Sequence, residues 1–236
     1  MDARLINALK FRSNVRRTPI WGLGCAGGLS GLSRAYEYTL AFPRERALLL
    51  AVELCCLTFQ RNDLSKSNLV ATSLFGDGAA AVVVSGAETG DRGPHIRASR
   101  STLWYDSLDV MGWEVNDQGL KVLFSRDIPS IVRSLVLPGL EEFLAAHDLV
   151  LQDLRHIIAH PGGVKVMEAY EQTLDLEPGK MDRARDILRR YGNMSSPTVL
   201  FVLEDFMRAG AIHAGEWGVM MALGPGFSSE MLLLQG

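Results

Sequence analysis

The sequence contains little cysteine: there are three in 236 residues, and two of them, Cys55 and Cys56, are adjacent. An odd number with an adjacent pair argues against a disulfide framework, so we expect a reducing, cytoplasmic environment. On a strand the two neighbours would point to opposite faces and could not chelate one ion together. His156 and His160 lie four residues apart on a predicted strand, unlike helical zinc ligands, and no H-E-x-x-H motif accompanies them. We expect no metal site.

The sequence also lacks long hydrophobic runs and a strong charge imbalance. Lys and Arg number 24 against 27 Asp and Glu, and the net charge of -3 favours neither nucleic acid nor an acidic membrane surface as a partner. The apolar run at residues 47–54 is far shorter than the ~20 residues of a membrane span. The first residues lack the basic and then apolar pattern of a signal peptide. We therefore expect no membrane partner.

The composition that is present, 47% hydrophobic and 22% charged residues, is that of a globular chain with a sizeable core. Strand-like and helix-like segments alternate, which predicts an α/β fold of mixed sheets with helical layers. A stretch rich in Gly, Asp and Glu at residues 86–94 predicts a boundary between a unit at 1–90 and a second unit at 91–236. The predicted strands are 18–23, 47–55, 78–85, 155–159, 217–223 and 230–234, with a hairpin from 96–105 and 109–114. The first two long apolar strands, 47–55 and 78–85, are expected to be buried on both faces. The predicted helices are 26–42, 128–147, 163–174, 180–191 and 197–208.

The clearest local signal is Trp-Gly-Leu-Gly-Cys-Ala-Gly-Gly at residues 21–28. Its glycines match the dinucleotide fingerprint G-x-G-x-x-G, with Glu45 or Glu53 as the acidic residue that follows. Alternatively, the segment places the thiol of Cys25 in the first turn of a helix, whose N-terminus favours the attacking thiolate form. A buried packing cysteine among small residues is the third interpretation.

Two further polar residues also lie at predicted junctions that lead into a helix. His160 ends the predicted strand 155–159, and Asn193 precedes the predicted helix 197–208. Alone, His160 would be a satisfied structural residue and Asn193 an N-cap. With Cys25 they make three polar groups at three strand-to-helix junctions, and such junctions at one sheet edge can converge on one cavity.

Five motifs then point to a family. Gly-Cys-Ala-Gly-Gly at 24–28, Leu-Phe-Gly-Asp-Gly-Ala-Ala at 74–80, Ala-His-Pro-Gly-Gly at 159–163, Tyr-Gly-Asn-Met-Ser-Ser at 191–196 and Gly-Pro-Gly at 224–226 occur in this order. The sequence resembles the type III polyketide synthases, the chalcone-synthase-like enzymes of the thiolase superfamily, over nearly its whole length. The resemblance implies a thiolase-like layered α/β fold that lacks part of its N-terminal half. It also implies that basic residues which hold coenzyme A phosphates in the family fall in that absent part.

The resemblance implies a role for each matching residue. Cys25 would be the acyl-carrying nucleophile, His160 its activating base and Asn193 the third member of the catalytic set. An imidazolium beside Cys25 would stabilise the thiolate. The implied substrate-binding residues are Phe75 as gatekeeper, Thr58 and Cys55 at the cavity wall, Ser195 beside the catalytic set, Gly224, Pro225 and Gly226 at the cavity floor, and Lys165 near the coenzyme A tunnel.

The implied reaction is an iterative decarboxylative Claisen condensation. An acyl starter moves from coenzyme A to Cys25, malonyl-CoA loses CO2 to an enolate held by His160 and Asn193, and the chain cyclises to a pyrone or resorcinol-type product. The segment at 53–60 is similar to bacterial members that use long acyl starters. Acyl-CoA and malonyl-CoA are the implied partners within a homodimer, with no cofactor beyond these thioesters. The alternatives are a ketoacyl synthase that performs a single condensation, a non-catalytic fragment, and a nicotinamide enzyme built on the glycine fingerprint.

Overall fold

The structure is a computed structural model that describes residues 1–117, 119–124 and 128–236. Its helices are α1 Asp2–Leu9, α2 Gly27–Ala41, α3 Lys66–Leu74, α4 Ile128–Ile131, α5 Leu137–Ala145, α6 Val164–Thr173, α7 Asp182–Tyr191 and α8 Thr198–Arg208. Its strands are β1 Arg46–Glu53, β2 Gly78–Ser85, β3 His95–Leu103, β4 Met111–Asn116, β5 Gly119–Phe124, β6 Leu154–Ala159, β7 Trp217–Gly224 and β8 Ser228–Gln235. Single 3-10 turns occur at Gly24–Ala26, Cys55–Thr58 and Leu151–Asp153.

The central sheet has the strand order β3-β8-β7-β6. Strands β6 and β7 are parallel, whereas β7 pairs antiparallel with β8, and β8 with β3. Nearly every residue of β7 and β8 is buried, and their apolar side chains form the middle of the core. Helices α2 and α8 both pack on strands of this sheet, so the residues at their N-terminal ends meet near the sheet.

A second sheet consists of β1 and β2, which pair antiparallel in the register Leu48 with Val83. Both strands form where the sequence predicts them, but the expectation that both of their faces are buried is wrong. Helix α2 packs on one face, while Leu48 and Val83 on the other face are 43% and 59% exposed. A continuous apolar run shows that a strand can be buried on both sides, but burial also requires a second layer.

Three other predicted segments differ from the structure. Residues 18–23 form no strand, because no strand in the described part of the chain lies beside them to take their backbone hydrogen bonds. The predicted hairpin is also wrong: β3 pairs with β8, and β4 pairs with β5. Cys55 and Cys56 lie in a 3-10 turn rather than on a strand, and both thiols are free.

The remaining predicted elements are confirmed, with ends that move by at most two residues. They include α2, α6, α7, α8, β6 and the antiparallel pair of β7 and β8. The predicted helix around Pro138 is continuous from α4 to α5 through a π-helical segment at Val132–Val136. Pro138 lies just after this segment, where the hydrogen-bond pattern changes from π to α and a residue without a backbone N–H is tolerated. In the described ranges, no helix combines the length and the apolar character that crossing a membrane requires.

Candidate active site

Cys25 lies in the 3-10 turn Gly24–Ala26, directly before α2, with a free and partly buried side chain. Its Sγ is 4.0 Å from Oδ1 of Asn193, which lies 168 residues later in the chain. A thiol is a weak hydrogen-bond donor, so this contact places the two side chains together without holding them strongly. The structure thus brings together two of the three residues at predicted junctions.

The side-chain amide of Asn193 is oriented by two backbone groups. Oδ1 accepts a hydrogen bond of 2.8 Å from the backbone N–H of Ser195, and Nδ2 donates one of 3.2 Å to the carbonyl oxygen of Gly162. A backbone N–H can bond only to the oxygen and a carbonyl only to the nitrogen, so the two ends of the amide are distinguished. One N–H of Nδ2 remains for another acceptor.

The turn that carries Asn193 continues directly into α8. Ser195 has φ 59°, in the left-handed region, and is buried. Thr198, the first residue of α8, is fully buried, and its Oγ1 accepts from the N–H of Met194 and donates to the carbonyl oxygen of Ser195, each at 2.9 Å. These bonds pair a backbone N–H and a carbonyl oxygen of the turn that precedes the helix. They also fix the backbone beneath the amide of Asn193.

His160 follows the last residue of β6, and its backbone N–H donates to the carbonyl oxygen of Met221 at 2.8 Å. The side chain is 4% exposed, and neither ring nitrogen has a hydrogen-bond partner among the described residues. A Cβ placed on Gly162 would be 3.7 Å from Nε2, so the ring lies beside the residue that binds Asn193. A buried imidazole without partners costs free energy, which indicates that its partner is a group other than these residues.

Burial sets the protonation states of this site. It lowers the pKa of His160 to about 4, so the imidazole is neutral at pH 7. Burial also raises the pKa of the Cys25 thiol to about 11; the charge of Glu53 adds to this rise, and hydrogen bonds with Ser195 and Asn193 oppose it. The expected thiolate and imidazolium pair is therefore not the state of this structure, because desolvation disfavours both charged forms. The thiol and the imidazole are both neutral.

The loop Gly224-Pro225-Gly226 packs against the turn of Cys25. A Cβ on Gly224 would lie 2.5 Å from the carbonyl oxygen of Leu23, and a Cβ on Gly24 would lie 2.9 Å from Cδ of Pro225. Only residues without a Cβ permit this approach, since real Cβ contacts are longer. The loop therefore borders the turn that carries Cys25, and its predicted role as a cavity floor stays a prediction.

A cavity of about 440 Å³ is lined by three of the predicted binding residues, Cys55, Thr58 and Phe75. Burial, followed by the charge of Glu53, raises the pKa of Cys55 to about 12. The backbones of Phe75 and Asn193 form a parallel bridge, with N–H to O distances of 3.0 Å for Gly76 to Asn193 and 2.8 Å for Asn193 to Leu74. The cavity wall and the amide of Asn193 are thus joined through the backbone. Further lining residues are Asn68, Thr72, Asp77, Phe59 and Val122.

The other predicted binding residues, namely Ser195, Lys165 and the loop Gly224-Pro225-Gly226, lie outside this lining. Ser195 instead lies beside Cys25, as expected for its position next to Asn193. Lys165 is the second residue of α6 and is exposed, and the cavity does not include it. Its place near a coenzyme A tunnel stays a prediction.

Two residues of this region were missed by the sequence analysis. Glu53 was considered as the acidic residue of the glycine fingerprint and as part of the segment 53–60, but its Oε1 accepts a hydrogen bond of 2.6 Å from Oγ of Ser196. An acidic residue at the end of an apolar strand was the available signal. The side chain of Thr198 holds the turn of Asn193 through two hydrogen bonds. A threonine at a predicted helix start could have indicated that role.

Other predicted sites take different forms in the structure. Nε2 of His156 pairs with Oε2 of Glu216 at 2.7 Å, away from His160, and no group of potential metal ligands occurs within residues 1–117, 119–124 and 128–236. The glycine fingerprint lacks the parallel βαβ unit that it requires, because no strand precedes it in this part of the chain and β1 pairs antiparallel with β2.

Comparisons with known proteins agree on one family. The profile of the "Chalcone and stilbene synthases, C-terminal domain" matches residues 95–236, and that of the N-terminal domain matches residues 1–89. A Bacillus subtilis (strain 168) protein named for chalcone synthase is 49% identical over 240 residues, which cover 99% of this chain and 66% of that protein. A 1,3,6,8-tetrahydroxynaphthalene synthase of Streptomyces peucetius subsp. caesius is 45% identical, over 100% of this chain and 63% of the relative.

A solved structure shows the same likeness in three dimensions. The 1,3,6,8-tetrahydroxynaphthalene synthase of Streptomyces coelicolor A3(2), described as a bacterial type III polyketide synthase, superposes with a TM-score of 0.93 at 33% identity. The match covers 100% of this chain and 67% of that structure. These likenesses confirm the predicted layered α/β fold of the thiolase type. The chain spans 66% and 63% of the length of the two curated relatives.

Proposed function

We propose, from the premise that this chain belongs to the chalcone and stilbene synthase family, that it condenses malonyl-CoA with an acyl group held on Cys25. One observation carries the proposal. The thiol of Cys25 meets the oriented amide of Asn193, this amide binds the carbonyl oxygen of Gly162, and the imidazole of His160, which has no partner among the described residues, lies beside Gly162. A nucleophile, a hydrogen-bond donor and a base are the groups that thioester exchange and enolate formation require.

The first proposed step is acyl transfer from coenzyme A. Sγ of Cys25 attacks the thioester carbon, and its proton passes to a ring nitrogen of His160, which is neutral and able to accept it. The carbon–sulfur bond to coenzyme A breaks, and the leaving thiolate takes the proton from the imidazolium. Because the thiol of Cys25 and the imidazole of His160 both start neutral, the proton moves from Sγ to the ring while Sγ attacks, not before the attack.

The second proposed step is decarboxylation and condensation. Malonyl-CoA loses CO2, and the electron pair of the broken bond forms an enolate whose oxygen accepts hydrogen bonds from His160 and from the remaining N–H of Asn193. The enolate carbon attacks the acyl group on Cys25, and the Sγ–carbon bond breaks. No metal or organic cofactor takes part in the proposed sequence, since the thioesters themselves carry both carbon units.

For the product we propose a cyclised polyketide of the pyrone or resorcinol type. Cys55, Thr58 and Phe75 line a cavity of about 440 Å³, and the backbone of Phe75 pairs with that of Asn193, which supports repeated extension in this cavity. The relatives named as tetrahydroxynaphthalene synthases make a fused aromatic ring, which also requires repeated condensation and cyclisation. We further propose that a homodimer performs the reaction and that Lys165 contributes to coenzyme A binding.

The test is intact-protein mass spectrometry after incubation with a panel of acyl-CoA thioesters, with Cys25→Ala as the matched variant. One acyl adduct that is present in the wild type and absent in the variant supports Cys25 as the nucleophile and identifies the starter class. Addition of malonyl-CoA then distinguishes the products: a cyclised pyrone or resorcinol supports iteration, and a single condensed unit indicates the one-step ketoacyl synthase alternative.

A negative result is equally informative. If a folded wild-type chain forms no adduct with any thioester, the enzymatic proposal fails for this polypeptide and the non-catalytic alternative remains. Folding is checked on the same sample by circular dichroism and by a cooperative thermal transition.

A further inference from the structure

Glu53 is the last residue of β1 and lies between the segment of Cys25 and the turn of Asn193. Its Oε1 accepts a hydrogen bond of 2.6 Å from Oγ of Ser196, 143 residues later in the chain. The residue is partly buried and pairs in register with Gly78 of β2. None of the proposed chemical steps uses this carboxylate.

Ser196 is fixed from a second side as well. Its carbonyl oxygen lies so close to Gly28 that a Cβ on Gly28 would overlap with it. Gly28 is the second residue of α2, the helix that Cys25 directly precedes. Ser196 is therefore held between a carboxylate on β1 and the backbone of α2.

We infer that Glu53 is a positioning residue of this site: by holding Ser196, its carboxylate fixes the turn of Asn193 against the segment of Cys25. Ser195, which lies in the chain between Asn193 and Ser196, has a φ of 59° in the left-handed region. This conformation costs free energy and persists only where the surrounding structure holds it. The inference rests on the proposed function for the roles of Cys25 and Asn193, and it adds a residue that acts through them.

The position of the carboxylate has a second consequence, because it lies near two thiols. After burial, the negative charge of Glu53 is the main group that raises the pKa of Cys25, whereas Ser195 and Asn193 lower it. Cys55 faces Glu53 as well as Asp77, Cys25 and Cys56. Removal of the Glu53 charge is therefore expected to make Cys25 more reactive.

The experiment separates the hydrogen bond from the charge with two variants. Glu53→Gln keeps an oxygen that accepts from Ser196 but removes the charge, whereas Ser196→Ala keeps the charge but removes the hydrogen bond. Glu45→Gln, just before β1, is the matched control, because Glu45 pairs with the exposed Arg12. Each protein is measured for thermal unfolding, for iodoacetamide alkylation of the Cys25 peptide across a pH series, for the rate of Cys25 acylation, and for CO2 release from malonyl-CoA.

For Glu53→Gln we expect faster alkylation of Cys25 at a fixed pH, by about tenfold for each unit that the thiol pKa falls, and acylation that is retained. For Ser196→Ala we expect the wild-type alkylation profile and a rate of malonyl-CoA decarboxylation, measured as CO2 release, that is lower by about tenfold or more at unchanged KM, because a shifted turn misplaces the Asn193 amide that holds the enolate. The control should match the wild type in every measurement.

Two results overturn the inference. Wild-type CO2 release from malonyl-CoA by a folded Ser196→Ala variant overturns the positioning role, and an alkylation profile of Glu53→Gln that coincides with the wild type overturns the action of the charge. If the wild type forms no acyl adduct at all, the proposed function fails. The alkylation measurement still decides whether Glu53 acts on Cys25, because it requires no thioester.

Discussion

At the scale of single residues, Asn193 shows how one amide can serve two tasks. Its Oδ1 accepts a hydrogen bond from the N–H of Ser195 and lies 4.0 Å from Sγ of Cys25. Its Nδ2 donates one hydrogen bond to the carbonyl oxygen of Gly162 and has a second N–H that can donate to a substrate. On the proposed function this N–H stabilises the enolate oxygen. We expect Asn193→Ala to lower the rate of malonyl-CoA decarboxylation by roughly 10²–10³, as measured by CO2 release.

Asn7→Ala is the control for this prediction, because Asn7 is an exposed residue of α1 that bonds only to the carbonyl of Ala3. Its decarboxylation rate should equal that of the wild type. An Asn193→Ala protein that is folded and releases CO2 at the wild-type rate would contradict the role of this amide.

His160 provides a prediction about pH and stability. Its pKa is lowered by burial to about 4 in the folded protein, against 6.5 for the free side chain, so the unfolded chain binds the extra proton between these values. The free energy of unfolding should therefore fall as the pH is lowered from 6.5 towards 4. The contribution of this residue reaches about 3 kcal/mol at most.

Urea unfolding of the wild type and of His160→Gln at neutral pH and near pH 5 measures that contribution. We expect the wild type to lose more stability than the variant over this interval, because the variant has no imidazole to protonate. Equal losses in the two proteins would show that His160 is not held neutral.

At the scale of elements, the contact between α2 and the turn before α8 depends on a glycine. A Cβ on Gly28 would overlap with the carbonyl oxygen of Ser196, and backbone cannot move aside as a flexible side chain can. We expect Gly28→Ala to lower the free energy of unfolding by about 1–3 kcal/mol, measured by urea denaturation.

Gly139 of α5 is the matched glycine for comparison. A Cβ there would meet only the ring of Trp104 at 4.0 Å, an ordinary contact. Gly139→Ala should leave stability unchanged or raise it by up to about 1 kcal/mol, because alanine favours a helix. A Gly28→Ala protein as stable as Gly139→Ala would contradict the close approach.

The elements also show where sequence patterns are sufficient. Helices α6, α7 and α8 were predicted because apolar periodicity and flanking glycine or proline are local signals. The partner of β3 was not, since the strand that pairs with it, β8, follows more than a hundred residues later and no local pattern encodes that choice. For the same reason, apolar runs predicted β1 and β2 but not the exposure of one of their faces.

In the candidate site too, local sequence motifs predicted some features and not others. Motifs placed Cys25, His160 and Asn193 at the ends of elements, and the structure brings Cys25 and Asn193 into contact. The bond between Glu53 and Ser196 had no sequence signal, because it joins residues that share no motif. The neutral state of the thiol and imidazole was also missed, since burial depends on packing around the site rather than on residue type.

At the scale of the whole molecule, the open face of the β1 and β2 sheet is an exposed apolar surface. Leu48, Leu50 and Val83 are 43%, 39% and 59% exposed, and they lie on one face because Leu48 pairs with Val83 and Leu50 with Ala81. Contiguous apolar surface of this kind favours association. We expect the isolated chain to associate as its concentration rises, as measured by sedimentation velocity.

Leu48→Lys should reduce that association without loss of stability, because the charge would stand in solvent on a face with no second layer. Leu108→Lys is the control, since Leu108 is 77% exposed and lies elsewhere on the chain. A chain that sediments as a monomer at every concentration would contradict the prediction, as would an equal effect of the two substitutions.

The backbone bridge between Phe75 and Asn193 connects product size with catalysis. The ring of Phe75 borders the cavity, while the main chain behind it is hydrogen-bonded on both sides to that of Asn193. On the proposed function, a lengthening product that presses on this wall also displaces the amide that stabilises the next enolate. A full cavity would then slow further extension. The length of the product would be limited by displacement of this amide as well as by the volume of the cavity.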